Sequence, residues 1–425
     1  MEKFKDITVE ISNICNAKCK YCTTGINNVQ QGIPKWDGMK KETFQQGIDY
    51  LINNDIVEEK ANFMLYNWGE PFLNPDLLDI LGIIVSRDMC YTLSTNASKY
   101  LEIPYEYMKN MNGLLISLSG FSADTYIHGF DIDVIKNNIR MFAEHFKKFG
   151  MEKLIKLNFH VYQSNFREYH QVKKFCDDLG ITFFPHFAYF ADSKSFNDFL
   201  KKDFSNTLVR DGQKDLFTFW YDEYTKLRPD NYDCPQNYNL VMNEKWELLL
   251  CCSKSIVLGS IFDMTLADIH NRKQNAACVE CQKNHADFML HNMPETCWHF
   301  PEIVTKREET VDSFIKVYYD CGKGYNEEDC IHLEIENPEA VNYFKVQFPV
   351  PVQSFRIDPV ERMRCVLEAF QIEGLKEYRE YFDETTKVYP GGILVMNSKD
   401  PGLKVETKNP VQEFIIRMKI NKIVE

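Results

Sequence analysis

The sequence lacks any run of 18 apolar residues, and its first segment, MEKFKDITVEIS, has neither the apolar core nor the cleavage site of a secretory signal. We therefore expect a soluble cytoplasmic protein with no transmembrane segment. Basic charge is scarce too, because 49 Lys and Arg stand against 62 Asp and Glu and leave a net charge of −13. Without a basic patch, binding to nucleic acid is not expected. Fixed-period repeats and low-complexity tracts are also absent.

What the chain does have is enough length and apolar content for several folded domains. Its 425 residues are too many for one core, and 44% apolar residues exclude a disordered class. Changes in pattern along the chain predict three domains. They cover residues 1–200, 201–303 and 304–425.

Strand-like and helix-like segments alternate through the first of these domains. Six apolar runs read as strands, namely ITVEIS, NFMLYNW, YTLST, LLISLSG, IKLNFHVY and ITFFPHFAYF. Four intervening segments have helical periodicity, and Gly180 stands where the last of these helices should end. The pattern predicts an α/β fold with a parallel sheet that curls into a partial or full barrel. The motifs CNAKCKYC, GEP and STN all follow strands, so they should meet at the carboxyl end of the sheet.

Fourteen cysteines in a reducing compartment do not suggest a disulfide framework, so their clustering indicates metal sites. One cluster consists of Cys15, Cys19 and Cys22. Four thiolates saturate a four-iron cluster, whereas three leave one iron open to a substrate or cofactor. Zinc with a distant fourth ligand, or an incidental grouping, are the alternatives.

The spacing of this loop after a first strand resembles that of the radical S-adenosylmethionine (radical SAM) enzymes. The resemblance implies that S-adenosylmethionine chelates the open iron through its amino and carboxylate groups. One electron then splits the cofactor into methionine and a 5′-deoxyadenosyl radical, which abstracts hydrogen from a substrate. Tyr21, before the third cysteine, fits the family pattern and would pack by the adenine.

Further motifs follow in the family's order. NWGEP resembles the Gly-Gly-Glu-Pro motif, with Trp68 in place of the first glycine. The resemblance implies that Gly69 and Glu70 receive the cofactor's ammonium, and that Ser94, Asn96 and Ser117 lie near the cofactor. Taken alone, Gly-Glu-Pro could be a turn and Ser-Thr-Asn a loop.

Candidate substrate contacts are Trp68, Asn158, His160 and His186. Trp68 could narrow the cleft over the cofactor amine or contact substrate. The other three lie on the fifth and sixth predicted strands, where alternation would point them toward or away from the interior. A structural side chain with satisfied hydrogen bonds is the alternative for each.

The second cysteine cluster resembles the SPASM and twitch extensions, which carry auxiliary iron–sulfur clusters. Its members are Cys234, Cys251, Cys252, Cys278 and Cys281. Because a full SPASM domain has seven cysteines, the shorter twitch form fits better. The resemblance implies one auxiliary four-iron cluster on four thiolates, with either Cys251 or Cys252 as the second ligand. Trp246 replaces the usual upstream glycine, and a structural zinc site is the alternative.

The last quarter of the chain has short alternating runs separated by turn motifs such as YPGG, which predict an all-β domain. YYDCGKGYNEED and FRIDPVE resemble β-sandwich modules of bacterial polysaccharide-synthesis proteins. A glycan-binding module and a packing or dimerising module are both compatible with this pattern.

These motifs together predict a radical SAM oxidoreductase or isomerase that receives electrons from a donor such as flavodoxin or ferredoxin. The substrate is expected to be a sugar, a nucleotide-sugar or a surface-glycan precursor that undergoes oxidation, epimerisation or elimination. A peptide-modifying maturase is the alternative, although no leader-binding domain is expected before the first strand. A zinc-binding structural or interaction protein is the alternative from another class. Oligomeric state is left open.

Overall fold

The chain folds into two units, Met1–Trp298 and His299–Glu425. The computed structural model describes residues 2–126, 128–191, 193–201, 203, 205–216, 228–291, 314–337, 340–360, 364–389, 392–398 and 400–423. Within this described part, no helix has the length and apolar character needed to cross a membrane. The further division that the sequence predicts at residues 200 and 201 stays a prediction.

Six parallel strands form the centre of the first unit and follow one another in chain order across the sheet. They are β1 (Phe4–Val9), β2 (Val57–Met64), β3 (Cys90–Thr95), β4 (Met111–Leu118), β5 (Ile155–Val161) and β6 (Thr182–Phe187). Each of the six predicted runs contains part of one of these strands. The prediction of a parallel α/β sheet is confirmed, whereas closure into a barrel stays a prediction.

Three short strands from the cysteine-rich region extend this sheet beside β1. Strand β7 (Asn239–Met242) is parallel to β1, and β8 (Glu247–Leu249) and β9 (Val257–Ser260) continue the sheet in antiparallel pairing. The sequence did not predict this extension. It joins the second cysteine cluster to the same sheet as the first.

Helices connect the strands of the first unit, and the four predicted helical segments are all confirmed. Gly180 ends its helix with a φ of 73°, in the left-handed region that favours glycine. The described helices are α1 (Thr23–Gln31), α2 (Lys41–Asn53), α3 (Leu77–Ser86), α4 (Tyr105–Met108), α5 (Ile132–Lys147), α6 (Tyr169–Leu179), α7 (Ser193–Leu200), α8 (Thr207–Asp215), α9 (Leu266–Lys273), α10 (Ala276–Lys283) and α11 (Ala286–His291).

The second unit contains an antiparallel sheet, so the all-β prediction is confirmed. Its described strands are β10 (Phe314–Tyr319), β11 (Cys330–Glu334), β12 (Asn342–Asp358), β13 (Arg364–Glu373), β14 (Tyr378–Phe382), β15 (Lys387–Tyr389), β16 (Ile393–Met396) and β17 (Leu403–Ile423). The long strands β12 and β17 pair with each other through two register shifts. Their inward side chains, including Phe355 and Phe414, form the core of this unit. A two-sheet sandwich stays a prediction.

Candidate functional site

The three-cysteine loop lies just after β1 and borders a cavity of about 330 Å³. Cys15, Cys19 and Cys22 all line this cavity. The loop is fixed from α1, because the Asn28 side-chain amide donates to the carbonyls of Cys15 and Ala17 at 2.6 and 2.8 Å. The sequence thus holds three thiols at one place, as the motif predicts.

Hydrogen-bond donors surround these thiols. Cys22 stands at the start of α1, where the backbone N–H groups of Thr24 and Gly25 act to lower the pKa of its thiol. The Asn96 amide donates to the Cys15 sulfur at 3.7 Å. Such donors and the helix N-terminus stabilise a thiolate.

Burial opposes the thiolate form in this loop and raises the pKa of Cys15 to about 12. The pKa values of Cys19 and Cys22 are raised for the same reason. Buried thiolates at these positions therefore require a positive partner, which iron would supply. Three thiols, backbone donors and an adjoining cavity fit a four-iron cluster with one iron free of cysteine.

The NWGEP motif is fastened to the strand that precedes the cysteine loop. The buried carboxylate of Glu10 accepts from the backbone N–H of Trp68 at 2.6 Å and of Gly69 at 2.9 Å. A Cβ at position 69 would overlap the Ser12 carbonyl oxygen, so this close approach requires glycine. Burial raises the pKa of Glu10 to about 7, although the backbone donors oppose this rise.

Glu70 connects this motif with the STN motif at the end of β3. Its carboxylate accepts from the Thr95 hydroxyl at 2.8 Å and from the Asn96 N–H at 2.7 Å. The Glu70 N–H donates to the Ile14 carbonyl at 2.8 Å, beside the first cysteine. Burial raises the pKa of Glu70 to about 7. The three motifs therefore form one hydrogen-bonded assembly.

The remaining residues predicted at the cofactor, Tyr21, Ser94 and Ser117, also line the cavity. Tyr21 is buried, and its hydroxyl donates to the Asp215 carboxylate at 2.5 Å. Its ring meets Phe190 edge-on, with centroids 5.6 Å apart. That they touch the cofactor stays a prediction.

The four predicted substrate contacts lie on the same cavity wall. Trp68, Asn158, His160 and His186 all line the cavity. His160 and His186 are register partners on β5 and β6, and their ring centroids lie 4.5 Å apart. Burial lowers the pKa of both imidazoles, which favours their neutral forms.

Several lining residues were missed from the sequence. They are Tyr66, Asn67, Thr95, Ser119, Tyr126, His128, Tyr162, Tyr189 and the alanines at 17, 188 and 191. Tyr66 and Tyr162 follow directly after β2 and β5, where parallel sheets bind ligands. That rule, applied to every strand end, could have found both. His128 lies in a loop without a comparable signal.

In the second cysteine cluster, four thiols line one small cavity and the fifth does not. Cys234, Cys251, Cys278 and Cys281 line a small cavity of about 40 Å³. Cys252 is not among its lining residues; it lies near enough to Tyr66 and Tyr189 to contribute to the raised pKa of both. Those tyrosines line the first cavity, whereas Lys273 lies near both Cys251 and Cys252. Because Cys251 lines the small cavity and Cys252 does not, Cys251 is the better candidate for the ligand.

Two lysines lie near the four thiols. The Lys254 backbone N–H donates to the Cys251 sulfur at 3.2 Å. Lys273 is 4% exposed, and its ammonium donates to the Leu250 carbonyl at 3.0 Å. Burial lowers the pKa of Lys273 to about 8, and four cysteines, Cys234, Cys251, Cys252 and Cys278, act against this fall. A buried ammonium beside these thiols fits an anionic metal–thiolate centre.

Trp246 stands where the resemblance to SPASM and twitch extensions predicts a glycine. Its φ of 59° lies in the left-handed region, which is uncommon for a bulky residue. The indole is fully buried, and its N–H donates to the Thr43 carbonyl at 2.9 Å. Packing against Gly47 of α2 therefore accommodates a tryptophan where the backbone suits glycine.

Comparison with known proteins follows this geometry. Residues 9–163 match the sequence profile of the Radical SAM superfamily. Among solved structures, the chain is similar to Streptococcus suis SuiB bound to the precursor peptide SuiA, with 13% identity, 66% of this chain and 70% of SuiB covered, and a TM-score of 0.44.

Two further structures are also similar to the chain. BtrN in complex with AdoMet and 2-DOIA is 14% identical, with 73% of this chain and 98% of BtrN covered and a TM-score of 0.34. The structure of anSMEcpe with bound AdoMet is 15% identical, with 71% of this chain and 99% of anSMEcpe covered and a TM-score of 0.40. Comparison with curated proteins finds none that matches. The chain thus contains a radical SAM superfamily domain, which indicates an enzyme and implies a four-iron cluster and S-adenosylmethionine as cofactors.

Proposed function

We propose that the protein is a radical SAM oxidoreductase or isomerase that cleaves S-adenosylmethionine at a cluster on Cys15, Cys19 and Cys22. When bound, cluster and cofactor supply one-electron chemistry that removes a hydrogen atom from substrate and leaves 5′-deoxyadenosine. The observation that carries the proposal is the meeting of three thiols, the Gly69–Glu70 backbone and Asn96 at one cavity.

In this proposal the chain positions the cofactor and excludes water from it. Glu10 holds the backbone of the NWGEP motif, Glu70 holds the backbone of the STN motif, and Asn96 donates to a cysteine sulfur. Tyr21, Ser94 and Ser117 complete the wall that faces the cofactor. The protonation state of each residue is set by burial, which keeps the interior histidines neutral.

The proposal includes one auxiliary four-iron cluster of the twitch type on Cys234, Cys251, Cys278 and Cys281. Four thiolates leave no iron open, so this centre would accept or relay an electron and would not bind substrate. The external reductant would be a flavodoxin or ferredoxin. Structural zinc on the same four thiols is the alternative.

Anaerobic protein reduced with dithionite and supplied with S-adenosylmethionine should release 5′-deoxyadenosine. Absence of this product from protein with a reduced cluster would contradict the proposal. Metal analysis should find about eight irons per chain, and Ala at all three loop cysteines should leave about four. A folded triple variant without iron would exclude the auxiliary cluster. Zinc without iron or sulfide would favour a structural or interaction protein.

For the substrate we propose a sugar, a nucleotide-sugar or a surface-glycan precursor, because the C-terminal sequence resembles modules of polysaccharide-synthesis proteins. Hydrogen removal from a carbinol carbon would then lead to oxidation, epimerisation or elimination. A peptide substrate is the alternative. Deuterium should move from a labelled sugar into 5′-deoxyadenosine, and transfer from a peptide but from no sugar would reverse the choice.

A further inference from the structure

The wall that strands β4, β5 and β6 contribute to the first cavity carries two pairs of polar side chains on neighbouring strands. Ser117 on β4 is the register partner of Asn158 on β5, and His160 on β5 is the register partner of His186 on β6. All four line the cavity. Side chains two residues apart on one strand share a face, so Asn158 and His160 point the same way.

Two atoms on this wall have unused hydrogen-bonding capacity. Among the described residues, the buried Asn158 Oδ1 has no hydrogen-bond partner, and neither has the buried His128 Nδ1. An unsatisfied buried polar atom costs about 1 to 3 kcal/mol. Native proteins keep such atoms where a ligand or water completes them. Both residues line the cavity, so a bound ligand can complete both.

The tautomer of His186 follows from its own backbone. Its Nδ1 lies 3.1 Å from the Phe187 carbonyl oxygen, which only accepts, so Nδ1 carries the proton. Nε2 of the neutral ring is therefore an acceptor. Together with Asn158 Oδ1, this gives the wall two acceptors that can receive hydrogen bonds from a ligand.

The charge of the cavity complements these acceptors. Among the described residues that line it, none is Lys or Arg. A phosphate there would lose its hydration without a cationic partner, whereas a hydroxyl group donates to the acceptors without added charge. The rings of Tyr66, Trp68 and Tyr189 add apolar faces, against which the C–H faces of a sugar ring pack.

We infer that the cavity binds an uncharged, polyhydroxylated sugar ring, whose hydroxyls donate to Asn158 Oδ1 and His186 Nε2 and contact His128 and His160. This inference rests on the proposed function and narrows its substrate class. For a nucleotide-sugar, the sugar ring enters the cavity and the diphosphate stays away from the carboxylate and thiols. Contacts between this wall and the sugar ring, and not contacts with the nucleotide, then determine which substrate binds.

Saturation-transfer NMR on the anaerobic, oxidised holoenzyme tests this directly, with UDP-glucose, UDP-galactose and UDP-N-acetylglucosamine as probes. We expect at least one probe to receive more saturation on its sugar-ring protons than on its uracil protons. Asn158→Leu should reduce the ring signal about fivefold, the equivalent of one lost hydrogen bond of about 1 kcal/mol. Asn158→Asp keeps the acceptor and should retain the signal.

The matched control is Asn112→Leu, because Asn112 is exposed on the neighbouring strand β4 and is not among the cavity-lining residues. It should leave the ring signal unchanged. If Asn158→Leu does not fold, as judged by circular dichroism, His186→Phe removes the other acceptor and should lower the ring signal similarly.

Three results would overturn the inference. They are larger saturation transfer to uracil than to any sugar ring, no saturation transfer to any probe, and an unchanged ring signal in both loss variants. These outcomes are distinct from failure of the proposed function. Release of 5′-deoxyadenosine by the reduced enzyme without any sugar tests that function separately. If the enzyme cleaves the cofactor but binds the probes only through uridine, the proposed function stands and the inference is wrong.

Discussion

Replacement of Glu10 by Gln tests the buried carboxylate that holds the Trp68 and Gly69 backbone. The carboxylate is 6% exposed, and one of its oxygens accepts both N–H bonds. Gln retains an acceptor oxygen of nearly the same shape but carries no charge. The substitution therefore separates the hydrogen bonds from the cost of burying an ionised group.

The magnitude follows from the pKa of Glu10. Burial raises this pKa from 4.5 to about 7, so the folded state binds the proton more tightly than the unfolded state does. Stability contributed by the protonated form is complete below about pH 4.5 and is lost as the pH rises through about 7. The full penalty is about 3 kcal/mol, and about 1 kcal/mol of it falls between pH 6 and 8.

Urea unfolding followed by tryptophan fluorescence at pH 6, 7 and 8 measures this effect. All five tryptophans of the chain lie in the first unit, so the signal reports the unit that contains Glu10. Between pH 6 and 8 the wild-type free energy of unfolding should fall by about 1 kcal/mol more than that of Glu10→Gln. Glu59→Gln, which removes an exposed carboxylate of β2, should behave like wild type. Equal pH dependence in Glu10→Gln and wild type would refute the reasoning.

Three further predictions address the two cysteine clusters. Cys251→Ser should lower the iron content to about four per chain, whereas Cys252→Ser should keep about eight; the reverse result would show that the other cysteine is the ligand. Gly69→Ala should lower 5′-deoxyadenosine release at least about tenfold, because its Cβ overlaps the Ser12 carbonyl and displaces the cofactor-facing backbone. Activity equal to wild type would contradict this. Lys273→Met should lower the reduction potential of the auxiliary centre, followed by potentiometric EPR, while Lys273→Arg should leave it nearly unchanged.

The elements of the first unit could be predicted because strand and helix periodicities are local in the sequence. The cysteine loop and the NWGEP and STN motifs were likewise recognisable, and the structure brings them to one cavity. Glu10 could not be identified in the same way. Its function depends on meeting a backbone segment 58 residues later, and a single Glu in a strand-like run carries no sign of that contact.

Strands β7 to β9 escaped prediction for a different reason. Each has only three or four residues, too few for alternation to be distinguished from chance. The choice between Cys251 and Cys252 depended on the same region, because both lie in the segment between β8 and β9, where strand alternation does not predict which way a side chain points. Cys297, the next cysteine after Cys281 in the sequence, lies outside the described residues.

The charges around the two cysteine groups support the proposed direction of electron transfer. Glu70 lines the first site, and because burial raises its pKa to about 7, about half of this carboxyl is ionised at neutral pH. That negative charge disfavours the reduced form of a cluster beside it. The four thiols of the second group instead lie near Lys254 and Lys273, and positive charge favours the reduced form. Burial lowers the pKa of Lys273 only to about 8, so the ammonium is mostly protonated at neutral pH. An electron left on a substrate radical would therefore move favourably to the auxiliary centre, as a net oxidation requires.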